Sequence, residues 1–114
     1  MARLIGRLGL RVVIGKGGMG AATTAACRKH GCIYVQAVGG AAALLARCVQ
    51  AVRGVWFLDA FGATEAMWAL DVAAFPGIVA IDGNGHSLYA DTEDASRRQL
   101  QAALNGPAFT GAKG

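Results

Sequence analysis

The residues best suited to chemistry are packed into one short stretch, Gly15-Lys16-Gly17-Gly18-Met19-Gly20. It follows Val12-Val13-Ile14, a β-branched run that suits a buried strand. It precedes Ala21–His30, which reads as a helix stopped by Gly31. Glycines in such a turn let backbone N–H groups approach an anion closely, and the helix start adds about half a unit of positive charge. Lys16 brings a full charge to the same place. Gly15, Lys16, Gly17 and Gly18 are therefore the candidate site for a carboxylate or a phosphate. Without a ligand the same stretch is simply a glycine turn beside an exposed lysine. Gly39-Gly40 repeats the pattern ahead of a second helical segment, residues 41–48, and is a possible second anion nest. Tight helix–sheet packing would ask for glycines there too.

The spacing Gly15-x-Gly17-x-x-Gly20 also matches the dinucleotide fingerprint. A nucleotide-binding unit needs an acid about 20 residues on to hold the ribose, and Tyr34-Val35-Gln36-Ala37-Val38-Gly39-Gly40 contains none. No Gly-Lys-Ser/Thr is present, which excludes a Walker loop. The three cysteines, Cys27, Cys32 and Cys48, form no Cys-x-x-Cys pair and an odd set. They read as small core hydrophobes in a reducing, cytoplasmic setting, with no metal ligand among them. His30 reads as a helix C-terminal charge beside Arg28 and Lys29, and His86 as a solvated turn residue. No residue is singled out as catalytic.

The elements that would carry these residues follow in order. A short helix places Leu4, Ile5 and Leu8 on one face and Arg3, Arg7 and Arg11 on another, and Gly9 ends it. Strands are expected at residues 12–14, 33–38 and 52–58, joined by helices. That alternation predicts an α/β domain with a largely parallel sheet and flanking helices. Thr64 is the expected cap of a helix carrying Trp68, with Trp68 and Leu70 in the core. Residues 78–81, the turn Asp82-Gly83-Asn84-Gly85 and residues 87–89 predict a C-terminal hairpin. A last helix starts at Asp91 or Thr92 and stops at Asn105-Gly106-Pro107. Residues 1–106 form one domain, and residues 107–114 a flexible tail.

Charge is unevenly spread. Of 11 Lys and Arg, all but Arg97, Arg98 and Lys113 lie at or before Arg53, and every Asp and Glu lies from Asp59 onward. The N-terminal half is a cationic surface suited to a small acidic substrate or an acidic partner. Basic and aromatic residues are not interleaved, so nucleic acid is not expected as a partner. The longest uncharged stretch, residues 31–46, is too short and too broken to span a membrane.

Taken together, several motifs in order resemble the β subunit of iron–sulfur hydro-lyases, the class I fumarate hydratases and L-tartrate dehydratases. They are Ile14-Gly15-Lys16-Gly17-Gly18, Tyr34 through Ala46, Thr64-Glu65-Ala66-Met67-Trp68, and Phe75-Pro76 through Asp82 and Asn84-Gly85 to Leu88. The resemblance implies a swivelling β/β/α-type domain and reversible hydration of a C4 dicarboxylate. It implies a [4Fe-4S] cluster held by a partner α subunit rather than by this chain, in a homo- or hetero-oligomer. The family's glycine-loop lysine matches Lys16, whose ammonium would hold a substrate carboxylate. The family's Thr-Thr-Ser…Arg-Met stretch, with a catalytic threonine and a substrate-binding arginine, is matched at most by Met1. The chain is thus expected to be shortened at its start relative to the family, and inactive without an α subunit and that upstream segment.

Two other functions compete with this reading. One is a non-catalytic anion-binding or assembly domain that keeps the fold without the chemistry. The other is a nucleotide-binding α/β domain, against which the missing ribose acid counts.

Overall fold

A computed structural model of the chain describes residues 1–40 and 42–105. Ala41 and the expected tail, residues 107–114 with Gly106 before it, lie outside the described residues. The class is mixed α/β, but the sheet is not largely parallel. The elements run α1 (Ala2–Leu8), β1 (Val12–Gly15), α2 (Ala21–His30), β2 (Ile33–Ala37), α3 (Ala42–Arg47), β3 (Val49–Trp56), α4 (Leu58–Glu65), β4 (Met67–Val72), β5 (Gly77–Ile81) and α5 (Leu88–Asn105). They form a three-stranded sheet in the order β1-β2-β5 and a separate two-stranded ribbon, β3-β4. Only β1 and β2 are parallel; β2–β5 and β3–β4 are antiparallel.

The N-terminal half follows local signals closely. Gly9 (φ 64°) and Gly31 (φ 62°) end α1 and α2 in the left-handed conformation that glycine adopts without a Cβ clash. At the end of α2, the amides of Gly31 and Cys32 both bond the Cys27 carbonyl, which turns the chain directly into β2. This brings Cys27 and Cys32 together in the core with Ile5, Val13, Ala26, Tyr34, Ala80 and Ile81. Burial, and then the neighbouring Cys32, push the Cys27 thiol above its ordinary value. Gly6 lets α1 lie close on α2, since a Cβ there would sit 2.8 Å from His30 Nε2. Arg11 donates to the His30 carbonyl at 2.6 Å, tying the start of β1 to the end of α2.

The second half departs from the expected alternation, for identifiable reasons. A parallel return needs a crossover of a dozen or more residues, and residues 57–66 are too few. The chain therefore comes back antiparallel, and Met67 and Trp68, expected in a helix, open β4, which pairs with Val49–Trp56. Gly62, at φ 76° and ψ 172°, breaks the helical run of α4 before it can reach Trp68. Trp68 and Leu70 are not core: both stay more than two-fifths exposed. The expected C-terminal hairpin shrinks to one bridge, Ile81–Ser87. Ser87 accepts from the Ala90 amide at 3.5 Å and so starts α5 at Leu88, ahead of the expected Asp91 or Thr92. Cys48 falls just after α3 instead of on it.

The ribbon and α4 stand away from the main sheet. Val52, Trp56, Phe57, Phe61, Met67 and Val72 are all about half or more exposed. The radius of gyration is 20.0 Å, against about 13 Å for a compact chain of this size. An isolated two-stranded ribbon is marginal in water. Amide hydrogen exchange should therefore show β3 and β4 opening well before β1, β2 and β5. Equal protection in the two sheets would show that the arm is held by packing not seen here.

Candidate functional site

Parallel pairing of β1 and β2 sets the site. The register runs Val12 with Ile33 to Gly15 with Gln36, so both strands finish at the same edge. Lys16 leaves the end of β1, and Val38-Gly39-Gly40 leaves the end of β2. Carboxyl ends of neighbouring parallel strands are where open α/β sheets bind ligands. A cavity of about 330 Å³ lies there, lined among others by Gly15, Lys16, Gly39, Gly40, Leu45 and Phe75. The two glycine loops, separate in sequence, thus face one space. Lys16 is exposed, and among the described residues no carboxylate pairs with it.

The rest of the first loop is held elsewhere. Gly17 has φ 82°, and its carbonyl accepts from Tyr34 Oη at 2.9 Å and from Tyr89 Oη at 2.8 Å. A Cβ at Gly15 would lie 3.0 Å from Tyr34 Oη, and one at Gly18 3.7 Å from the Tyr89 ring. Gly15 and Lys16 line the cavity, the Gly17 carbonyl meets the two phenol hydroxyls, and Gly18 lies against the Tyr89 ring. Tyr89 Oη is also 2.7 Å from Gln36 Oε1. Burial, and then the nearby Tyr34, push the Tyr89 phenol above its ordinary value. The sequence reading passed over Tyr34, Gln36 and Tyr89. Tyr34 is one residue of a strand and Tyr89 of a helix far along the chain, and neither carries a local signal of a contact with the loop.

A second groove, about 860 Å³, runs between α2 and the β5–α5 turn. Arg28 and Lys29 line one wall, with His86, Asp91 and Glu93 on the other. His86 Nε2 is 2.9 Å from Asp91 Oδ2, so His86 is exposed but partnered. His30 is packed against Gly6 as part of the α1–α2 contact. Among the described residues no group of three or more His, Cys, Asp or Glu is placed to hold a metal ion. Cys27 and Cys32 share the core, whereas Cys48 faces the Leu44 and Ala74 carbonyls at 3.5 and 3.6 Å. This placement does not fit an iron–sulfur cluster.

A lysine and two glycine loops thus meet at the carboxyl ends of paired parallel strands in a mixed α/β fold. Comparison with known proteins gives it a family: the chain belongs to the fumarase C-terminus family, matched over residues 1–92. It is 47% identical over 94 residues to a Geobacillus stearothermophilus protein provisionally named class I fumarate hydratase, covering 82% of this chain and 18% of that one. It is 43% identical over 96 residues to a Methanocaldococcus jannaschii protein provisionally named L(+)-tartrate dehydratase subunit beta, covering 83% and 49%. The Escherichia coli K12 L(+)-tartrate dehydratase subunit beta is 36% identical over 90 residues, with 78% and 44% covered. The chain thus spans half or less of the length of these curated relatives.

The β5–α5 turn, which leads to Tyr89, is held by backbone bonds between Asp82 and Gly85 and His86 and by one carboxylate. Asp82 Oδ1 accepts from the Asn84 and His86 amides, each at 2.9 Å. The His86 amide above all holds the Asp82 carboxyl below its ordinary value of 3.8. A folded pKa below the unfolded one gives stability that is present above the unfolded value and lost as pH falls through the folded one. This turn should therefore be intact above about pH 4 and loosen only at lower pH. A carbon-13 carboxyl titration should place Asp82 below the unfolded aspartates; a midpoint at or above theirs would remove the turn's acid dependence.

Proposed function

We propose that this chain is the β-type part of an iron–sulfur hydro-lyase that adds or removes water reversibly across a C4 dicarboxylate, fumarate/malate or tartrate. Its share is to hold a substrate carboxylate. The observation that carries this reading is Lys16 set with Gly15, Gly39 and Gly40 around one cavity, with no acid among the described residues of its lining. The ammonium supplies charge and up to three N–H donors. The Gly17 and Gly18 amides, next along the loop but outside the cavity lining, would extend the donor set, and the Gly39-Gly40 loop faces a second oxygen or the far carboxylate. Fixed donors of this kind stabilise negative charge without reorganising during reaction. Family membership and the names of the relatives support the substrate class.

In this proposal the [4Fe-4S] cluster belongs to an α-type partner, because this chain's cysteines do not converge. The partner reading draws support from relatives named as subunit beta. This chain, free of disulfides, works in the cytoplasm as one subunit of a larger assembly and swivels over the partner's site. Among the described residues no helix is long and apolar enough to cross a membrane.

Calorimetry at low salt tests the site. The chain should bind fumarate, succinate or tartrate weakly, and Lys16→Ala should weaken binding about tenfold or more, as expected for a charge-assisted contact. Equal affinity of parent and variant would remove Lys16 from the site. In an anaerobic assay the chain alone should not turn over fumarate, malate or tartrate; turnover without an α-type subunit would refute the partner requirement.

The exposed apolar arm around β3, α4 and β4 favours a second reading, a non-catalytic anion-binding or assembly domain. Stable capture of a partner subunit, with no dicarboxylate binding at all, would select it.

A further inference from the structure

We propose that Tyr34 and Tyr89 are positioning residues that set the orientation of the glycine loop and so make the anion site. This rests on the carboxylate-binding reading above and extends it to residues outside the loop. The two phenols come from opposite parts of the chain, Tyr34 from β2 and Tyr89 from the first turn of α5. Both reach the Gly17 carbonyl oxygen, at 2.9 and 2.8 Å. A carbonyl oxygen has two lone pairs, and here each has a donor.

The consequence follows from peptide planarity. In a trans peptide the C=O of one residue and the N–H of the next point in opposite directions. Turning the Gly17 carbonyl to the phenols therefore turns the Gly18 N–H away from them, to the other side of the loop. Glycine is required at position 17, whose φ of 82° is costly for a residue with a side chain. Tyr34 is fully buried, so its donor is fixed by the core itself.

Tyr89 adds a second link. Its oxygen lies 2.7 Å from the Gln36 amide oxygen, and Gln36 pairs with Gly15 across the β1–β2 ladder. One phenolic proton serves only one acceptor at a time. The contact is complete when the Gln36 amide turns its NH₂ to the Tyr89 oxygen and Tyr89 gives its proton to Gly17. The start of α5 is thereby joined to the ends of both strands that carry the site.

The test uses the full chain with Tyr89→Phe and Tyr34→Phe. The Gly17 carbonyl carbon-13 and Gly18 amide nitrogen-15 resonances are read without ligand, and succinate binding is read by calorimetry. Each Phe variant keeps its ring, so circular dichroism and the melting temperature should stay near those of the parent. Tyr89 is only partly buried, so Tyr89→Phe keeps the test open if Tyr34→Phe fails to fold. We expect the Gly17 carbonyl to shift in each variant and succinate affinity to fall about three- to tenfold, the range of a neutral hydrogen bond. In a Lys16→Ala background, Tyr89→Phe should add little further loss, because both act on one bound carboxylate. Loop resonances in Tyr89→Phe identical to those of the parent would overturn the proposal. If the parent binds no dicarboxylate, the carboxylate-binding reading fails, while the resonances still decide whether the phenols hold the loop.

Discussion

The parallel pairing of β1 with β2 is the constraint on which the rest of the site depends. It is the only parallel contact in the described chain, and it puts Gly15 beside Gln36. Without it the two glycine loops would leave the sheet at opposite edges. The helix α2 is the crossover that makes the pairing possible, and its length is set at both ends by glycine: Gly20, extended, before it and Gly31, left-handed, after it. β5 then closes the other side of β2. A Cβ at Gly77 would lie 2.3 Å from Val35 Cγ1, so this approach admits only glycine. The three strands are short, and their hold on one another comes from a small buried set centred on Tyr34, Ile81 and Ile5.

The phenol of Tyr34 joins that core to the glycine loop. Its ring is buried as firmly as Ile5 or Ile81, yet its oxygen ends at the loop that carries Lys16. A polar atom buried this deeply must be hydrogen-bonded, and the backbone carbonyl of Gly17 serves it. Core packing and loop orientation are therefore one problem in this molecule, solved by a single side chain. The β3–β4 arm is built differently. Its Arg53–Asp71 ion pair is solvent-exposed and contributes little, and its apolar side chains face water. The site and the arm thus place opposite demands on the chain: one is finished by internal contacts, the other exposes the surface an assembly would cover.

What could be read from the sequence was what local chemistry decides. The bounds of α2 and its stop at Gly31 follow from capping, and β1, β2 and the Lys16 loop follow from a β-branched run broken by glycines. The failures lie where a distant partner or a connection length decides. Met67-Trp68 carries helix-compatible residues and follows a plausible cap at Thr64. Only the presence of β3 across the ribbon makes it a strand. Ser87-Leu88-Tyr89 alternates like a return strand, but a serine that can accept from the Ala90 amide starts a helix instead. Tyr89 was invisible as a site residue because its contact with Gly17 spans 72 positions.

The uneven charge of the sequence takes on a narrower meaning in the fold. The cationic half is not one uniform surface. Arg11 is spent on the His30 carbonyl, and Arg53 on Asp71 from the acidic half. Arg28 lays its stem against Gly85 and, with Lys29, faces a groove that already holds Asp91 and Glu93. Arg11 and Arg53 thus have partners of their own, while Arg28 and Lys29 share a groove with acids that pair with His86 and Arg97. Lys16 differs in standing beside a cavity whose other walls are glycine backbone and apolar side chains. A charge in such a place is open to a partner brought in from outside, because the surrounding groups offer it nothing else to bind. Its place beside this cavity, rather than net charge, is what singles out this lysine.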